Sequence, residues 1–146
     1  MQAESQVAAI GHVIQLAITP VFLFTGVSGL LAVLINRLAR IIDRARILEG
    51  RLRDMPEPGD EDMHAGLTLL SRRARLINRA VTLCTVCALL ICSVIITLFA
   101  GAFLKSDASV VIGLLFIAAV LALMSGLANF LREIYIATRN LRIGVR

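Results

Sequence analysis

The sequence predicts an all-α integral membrane protein, with three transmembrane helices and a long cytoplasmic antiparallel helical hairpin between the first two. Three observations carry that expectation. Hydrophobic residues make up 58% of the chain and mean hydropathy is +0.87, with the charged residues gathered in a few blocks, a composition typical of membrane proteins. Apolar runs at about 13–35, 80–104 and 109–131 each come near the ~20 residues that ~30 Å of hydrocarbon requires. All three are apolar on every face, which leaves no polar side for a protein surface and argues against a soluble three-helix bundle. The whole chain, 1–146, reads as a single membrane domain.

Charge sets the expected orientation. Arg37, Arg40, Arg44, Arg46, Arg51, Arg53, Arg72, Arg73, Arg75 and Arg79 lie between the first two runs, and Arg132, Arg139, Arg142 and Arg146 follow the third. Lys105 alone lies on the other side. The positive-inside rule therefore puts the 36–79 hairpin and the C-terminus in the cytoplasm and the N-terminus outside. The formal net charge of +5 is accounted for by this topology. The start, MQAESQVAAI, has no basic n-region and no small-residue cleavage site, so it does not read as a removable signal peptide.

The first helix is expected from Gln6, with Ser5 as its cap. His12, Gln15 and Thr19 are three and four residues apart and share one face. Pro20 removes a backbone hydrogen bond and predicts a kink, which membrane helices tolerate when neighbouring groups or water satisfy the freed carbonyl. A helix starting afresh at Pro20 would keep only about 24 Å of apolar length to Ile35, so one kinked helix is the better reading, with an interfacial segment over 5–18 as the alternative. Past the kink, Thr25, Ser28 and Ala32, with Gly26 and Gly29, form small-residue ridges suited to close helix packing in lipid. Continued in steps of three or four, the polar stripe runs His12, Gln15, Thr19, Phe22, Gly26, Gly29, Val33, Asn36, Arg40 and Asp43. It is too polar for lipid: it is either a packed seam with its polar groups paired or a face lining water on an oligomer axis.

The hairpin arms carry heptad seams, a coiled-coil pattern: Leu38, Ile41, Ala45, Leu48, Leu52 and Met55 on one, Met63, Leu67, Leu70, Ala74, Ile77 and Val81 on the other. Pro56 to Asp60 reads as the turn, with Asp60 as the next helix cap. Asp43 can pair with Arg40 and Arg46, and Glu49 with Arg46 and Arg53, each pair contributing a few tenths of a kcal/mol. The second span contains Cys84, Cys87 and Cys92. The Cys84-x-x-Cys87 spacing matches a redox or metal motif only formally, and small buried apolar residues are the better account. Lys105 to Asp107 forms an external turn. The third span presents a small ridge at Ala118, Ala122 and Gly126, again suited to packing. Arg132, Glu133 and Tyr135 mark its inner interface, and the Arg139 to Arg146 tail is expected against anionic headgroups.

The runs Thr19-Pro20, Leu23-Phe24, Ser28, Leu30-Leu31 and Asn36-Arg37, then Leu38-Ala39-Arg40 and Asp43-Arg44-Ala45-Arg46, together with Arg75-Leu76-Ile77, resemble the domain of unknown function 2721 family of small bacterial three-span membrane proteins. The Thr-Pro and Asn-Arg pairs are the most specific part, and some members carry a second proline where this chain has Thr25. The resemblance implies the bacterial inner membrane and leaves the activity open.

No nucleophile stands at a recognisable spacing from a base, no phosphate loop appears, and the two histidines, His12 and His64, fall on opposite sides of the membrane. An enzyme, a metal site and a cofactor are therefore not expected. A lipid transporter likewise finds no residue constellation to support it. The arginines alternate with acids and heptad leucines and have no base-stacking aromatics among them, which argues against nucleic acid. The expectation is a homo-oligomeric ion channel, anion-favouring or weakly selective. Copies of the first helix would surround the axis, with Phe22, Gly26 and Val33 as the narrow apolar section and Arg37, Arg40 and Arg44 around the mouth. The competing expectation is a non-conducting scaffold or regulator whose hairpin binds a protein partner.

Overall fold

A computed structural model describes residues 2–54, 60–104 and 108–141, all but one of them helical. The elements are α1 (Gln2–Asp54), α2 (Asp60–Leu104) and α3 (Ser109–Leu141), so the fold is all-α. All three helices are long and apolar enough to cross a membrane, the build of a multi-pass membrane protein. At 53, 45 and 33 residues each exceeds the ~20 that a crossing needs. The turns expected at 56–59 and 105–107, and the tail from 142, lie outside the described residues.

The boundaries differ from expectation at one end. α1 begins at Gln2 rather than Gln6, because Gln2, Ala3 and Glu4 are good helix formers and extend the helix by a turn. It also continues through Pro20 without a break, so residues 5–18 belong to the same helix as the apolar run.

The helices pack as two compact units, one of Met1–Leu31 with Leu83–Met124, the other of Ala32–Thr82 with Ser125–Arg146. In the first, Ala17, Pro20 and Val27 of α1, Cys84, Cys87, Ile91 and Val94 of α2, and Ala119 of α3 are buried. The α2 members step by three and four, one stripe of one helix. Several are small, which lets backbones approach closely.

In the second unit the buried side chains are Leu34 and Ile41 of α1, Ile77 and Ala80 of α2, and Gly126 and Glu133 of α3. α1 and α2 meet where a Cβ built on Gly66 would lie 3.4 Å from Leu48 Cδ2. The expected seam residues Leu38, Ala45, Leu48, Leu67, Leu70, Ala74 and Val81 are all half-buried, while the side chains of Leu52, Met55 and Met63 lie outside the described set. Spacing thus selects the faces that turn away from solvent. Among the described side chains the helical-neighbour pairs are not formed: Asp43 and Glu49 are exposed, and neither forms an ion pair with Arg40 or Arg46, while the Arg53 side chain lies outside the described set. Exposed pairs of this kind gain too little to hold two long side chains in one geometry.

Only 17%, 22% and 11% of the most apolar stretch of α1, α2 and α3 is covered by the chain itself. Most of the apolar surface is therefore available to lipid or to other chains.

Candidate functional site

α1 has two faces of different character. On one, Ala17, Pro20, Val27, Leu34 and Ile41 are buried by the chain's own helices. On the other, His12, Gln15, Thr19, Phe22, Gly26, Gly29, Val33, Asn36, Arg40 and Arg44 are all exposed. A Cβ added at Gly26 or Gly29 would meet nothing within 4 Å. The side chains of His12, Gln15, Thr19 and Asn36 make no hydrogen bond within the chain among the described residues. The chain itself does not pair these side chains, which leaves a seam between copies and a face lining water on an oligomer axis as the two readings.

Arg37 departs from that set. Its side chain is 40% exposed and its Nη1 donates to Glu133 Oε2 at 2.7 Å. The guanidinium carbon also stands 5.4 Å from the centroid of the Phe130 ring, within cation–π range. Phe130 and Glu133 are three apart on α3 and so share a face, which holds the guanidinium against both. Arg37 thus differs from Arg40 and Arg44 in having an ion-pair partner among the described residues, although it lies three and seven residues from them and so on the same side of α1.

Glu133 is the centre of this site. It is fully buried, a rare state for a glutamate unless paired, and two arginines supply the pairing. Arg73 of α2 donates to Oε1 from both Nη2 at 2.8 Å and Nε at 3.1 Å, while Arg37 of α1 serves Oε2. One carboxylate thus ties three helices. A buried charge is costly unless paired and hydrogen-bonded, and no described buried side-chain nitrogen or oxygen lacks a partner. Chemically the arrangement is a clamp. Both carboxylate oxygens are committed to guanidinium groups, so Glu133 is not offered to a cation.

A cleft of about 460 Å³ opens beside the clamp, bordered by Arg37, Arg40, Asp43, Arg44, Arg73 and Glu133 together with Ile41 and Leu70. Four positive side chains against two negative leave it electropositive, and such a concavity concentrates anions.

The small residues expected to pack divide differently. Thr25, Ser28 and Ala32 are exposed, and no helix of the same chain covers them. Thr25 Oγ1 donates to the Val21 carbonyl at 3.1 Å and Ser28 Oγ to the Phe24 carbonyl at 2.9 Å, which satisfies both hydroxyls inside their own helix. In α3, Gly126 is buried, Ala122 half-buried and Ala118 exposed; the buried alanine is Ala119, one residue round the helix. Cys84 and Cys87 are fully buried free thiols and Cys92 is half-buried.

Sequence reading missed Glu133 and Arg73. Arg73 sits among Arg72, Arg75 and Arg79 with nothing in the spacing to single it out, and Glu133 beside Arg132 looks like an interfacial charge. The available signal was that Glu133 is the only acid of α3.

A family model described as a protein of unknown function, DUF2721, matches residues 17–143. No curated protein and no solved structure matches.

Proposed function

The chain belongs to the DUF2721 family of proteins of unknown function, and from that premise we propose an activity on its residues: a homo-oligomeric ion channel in which copies of α1 surround the axis. One observation carries the proposal. α1 crosses an apolar stretch with a face bearing His12, Gln15 and Thr19, and the chain supplies these side chains with neither cover nor hydrogen-bond partners. Unsatisfied polar groups cost several kcal/mol each in hydrocarbon, so the face needs either water or a second copy, and a ring of copies around a wet axis provides both.

Three helices cannot enclose a wide aqueous path, so a protein of this size conducts by assembling. In the ring, Phe22, Gly26 and Val33 form an apolar constriction that gates by dewetting, and Arg40 and Arg44 form a basic mouth that favours anions. Arg37, tied to Glu133, stands at the edge of that mouth. The arginine-rich unit faces the cytoplasm by the positive-inside rule, in a bacterial inner membrane.

The test is single-channel recording of purified protein in planar bilayers, with reversal potentials measured under a chloride gradient. Discrete conductance with anion preference, weakened by Arg40→Gln with Arg44→Gln, is the expected result. Silence in every salt and at every voltage, with the oligomer intact, would sink the channel in favour of the non-conducting scaffold.

A further inference from the structure

Two pairs of consecutive residues split their work across the α2–α3 contact of the second unit. Arg73 and Glu133 turn toward each other and bond. Their chain neighbours Arg72 and Arg132 are both exposed, and both border a separate cleft of about 590 Å³ whose remaining walls are Leu76, Leu131, Tyr135 and Ile136. No carboxylate borders it, unlike the cleft beside the clamp. Neither arginine is in an ion pair among the described residues, so two full positive charges stand uncompensated over an apolar floor.

The walls are as telling as the charges. Leu131 is 67% and Tyr135 66% exposed, large surfaces that the chain leaves uncovered. Leu131 also closes the third apolar run, which puts the cleft at the level where hydrocarbon gives way to headgroups, the depth at which tyrosine is enriched in membrane proteins. Paired guanidinium groups match the oxygens of a phosphate, and a leucine–isoleucine wall matches an acyl chain. A free phosphate ion would use the arginines and leave the apolar walls wet.

We propose that this cleft is a binding site for an anionic phospholipid, with the headgroup phosphate between Arg72 and Arg132 and an acyl chain along Leu76, Leu131 and Ile136. The site is independent of ion conduction. The Arg73–Glu133 bond acts at one remove, by fixing the contact that brings Arg72 and Arg132 to one cleft.

The chain contains one tyrosine and no tryptophan, so tyrosine fluorescence reports on this cleft alone. Full-length protein in detergent is titrated with phosphatidylglycerol or phosphatidylcholine brominated on the acyl chains, and quenching of Tyr135 is followed. Phosphatidylglycerol is expected to quench at about tenfold lower mole fraction, since each arginine near an anionic headgroup favours it. R72Q/R132Q removes that preference while keeping the phosphatidylcholine response, which certifies the fold; R72K/R132K retains most of it. Inorganic phosphate at matched ionic strength leaves quenching unchanged. Equal quenching by the two lipids, or a preference that survives R72Q/R132Q, overturns the site. Reversal of quenching by inorganic phosphate overturns the lipid in favour of the free anion.

Discussion

Arg73 spends two of its five donors on a single oxygen of Glu133, at 2.8 and 3.1 Å, and leaves the other oxygen to Arg37 at 2.7 Å. The two arginines are not equivalent: the Arg73 side chain is 21% exposed and that of Arg37 40%. Breaking a buried pair strands the remaining charge, which costs more than the pair itself contributes. Arg73→Ala, which strands a fully buried carboxylate, is therefore expected to destabilise the protein by about 2–4 kcal/mol, Glu133→Ala by somewhat less because both guanidinium groups it leaves reach water, and Arg37→Ala least because Arg73 still holds the carboxylate. Thermal melts in detergent followed by helical circular dichroism give the order. A double-mutant cycle on Arg73 and Glu133 should return a coupling of about 1–3 kcal/mol, and strictly additive losses would refute the clamp.

Gly66 offers a test of the α1–α2 contact. A methyl group there would lie 3.4 Å from Leu48 Cδ2, ordinary van der Waals contact at its near limit, while alanine is favoured over glycine inside a helix by about 1 kcal/mol. Gly66→Ala should raise stability by about 0.5–1 kcal/mol. Gly66→Leu should lower it, since the larger side chain must displace Leu48. The same melts decide both.

The outward face of α1 makes the opposite prediction for its glycines. Nothing in the chain lies within 4 Å of a Cβ at Gly26 or Gly29, so G26L/G29L leaves helix content and monomer stability unchanged or slightly improved. If copies of α1 meet through this face, the same change breaks the oligomer, because small residues set the distance between helices in lipid. Chemical crosslinking and mass measurement of the detergent complex read the outcome; an oligomer that tolerates both leucines would place the interface elsewhere.

The thiols report on the first unit. Cys84 and Cys87 have no accessible surface and Cys92 is half-buried, so a small maleimide should modify Cys92 first in native detergent-solubilised protein. Three equivalents should react only after denaturation. Mass spectrometry counts the adducts, and rapid labelling of Cys84 or Cys87 would contradict this core.

Much of this was legible in the sequence for simple reasons. Apolar length marks three helices long enough to cross a membrane, heptad spacing selects residues of α1 and α2 that are half-buried, and the residues stepping from His12 to Arg40 are exposed. What spacing within α1 does not disclose is that Arg37, expected at the mouth beside Arg40 and Arg44, carries an ion pair to α3. Tertiary partners decide, and the partner is Glu133. Which helix the small ridges serve is not legible, for a related reason. Small residues permit close approach without saying which helix approaches, and Thr25 and Ser28 satisfy their own hydroxyls by bonding back along α1.

Glu133 also bears on the order in which the protein is made. Chains grow from the N-terminus, so Arg37 and Arg73 exist before α3 has been synthesised, and until then they stand as two like charges without their common acid. The carboxylate is the last of the three groups to be synthesised. Its burial thus ties the register of three helices to one group: α3 fits its place only where Arg37 and Arg73 both reach the same carboxylate. A chain misaligned by one residue at either arginine would present α3 with a charge it cannot bury.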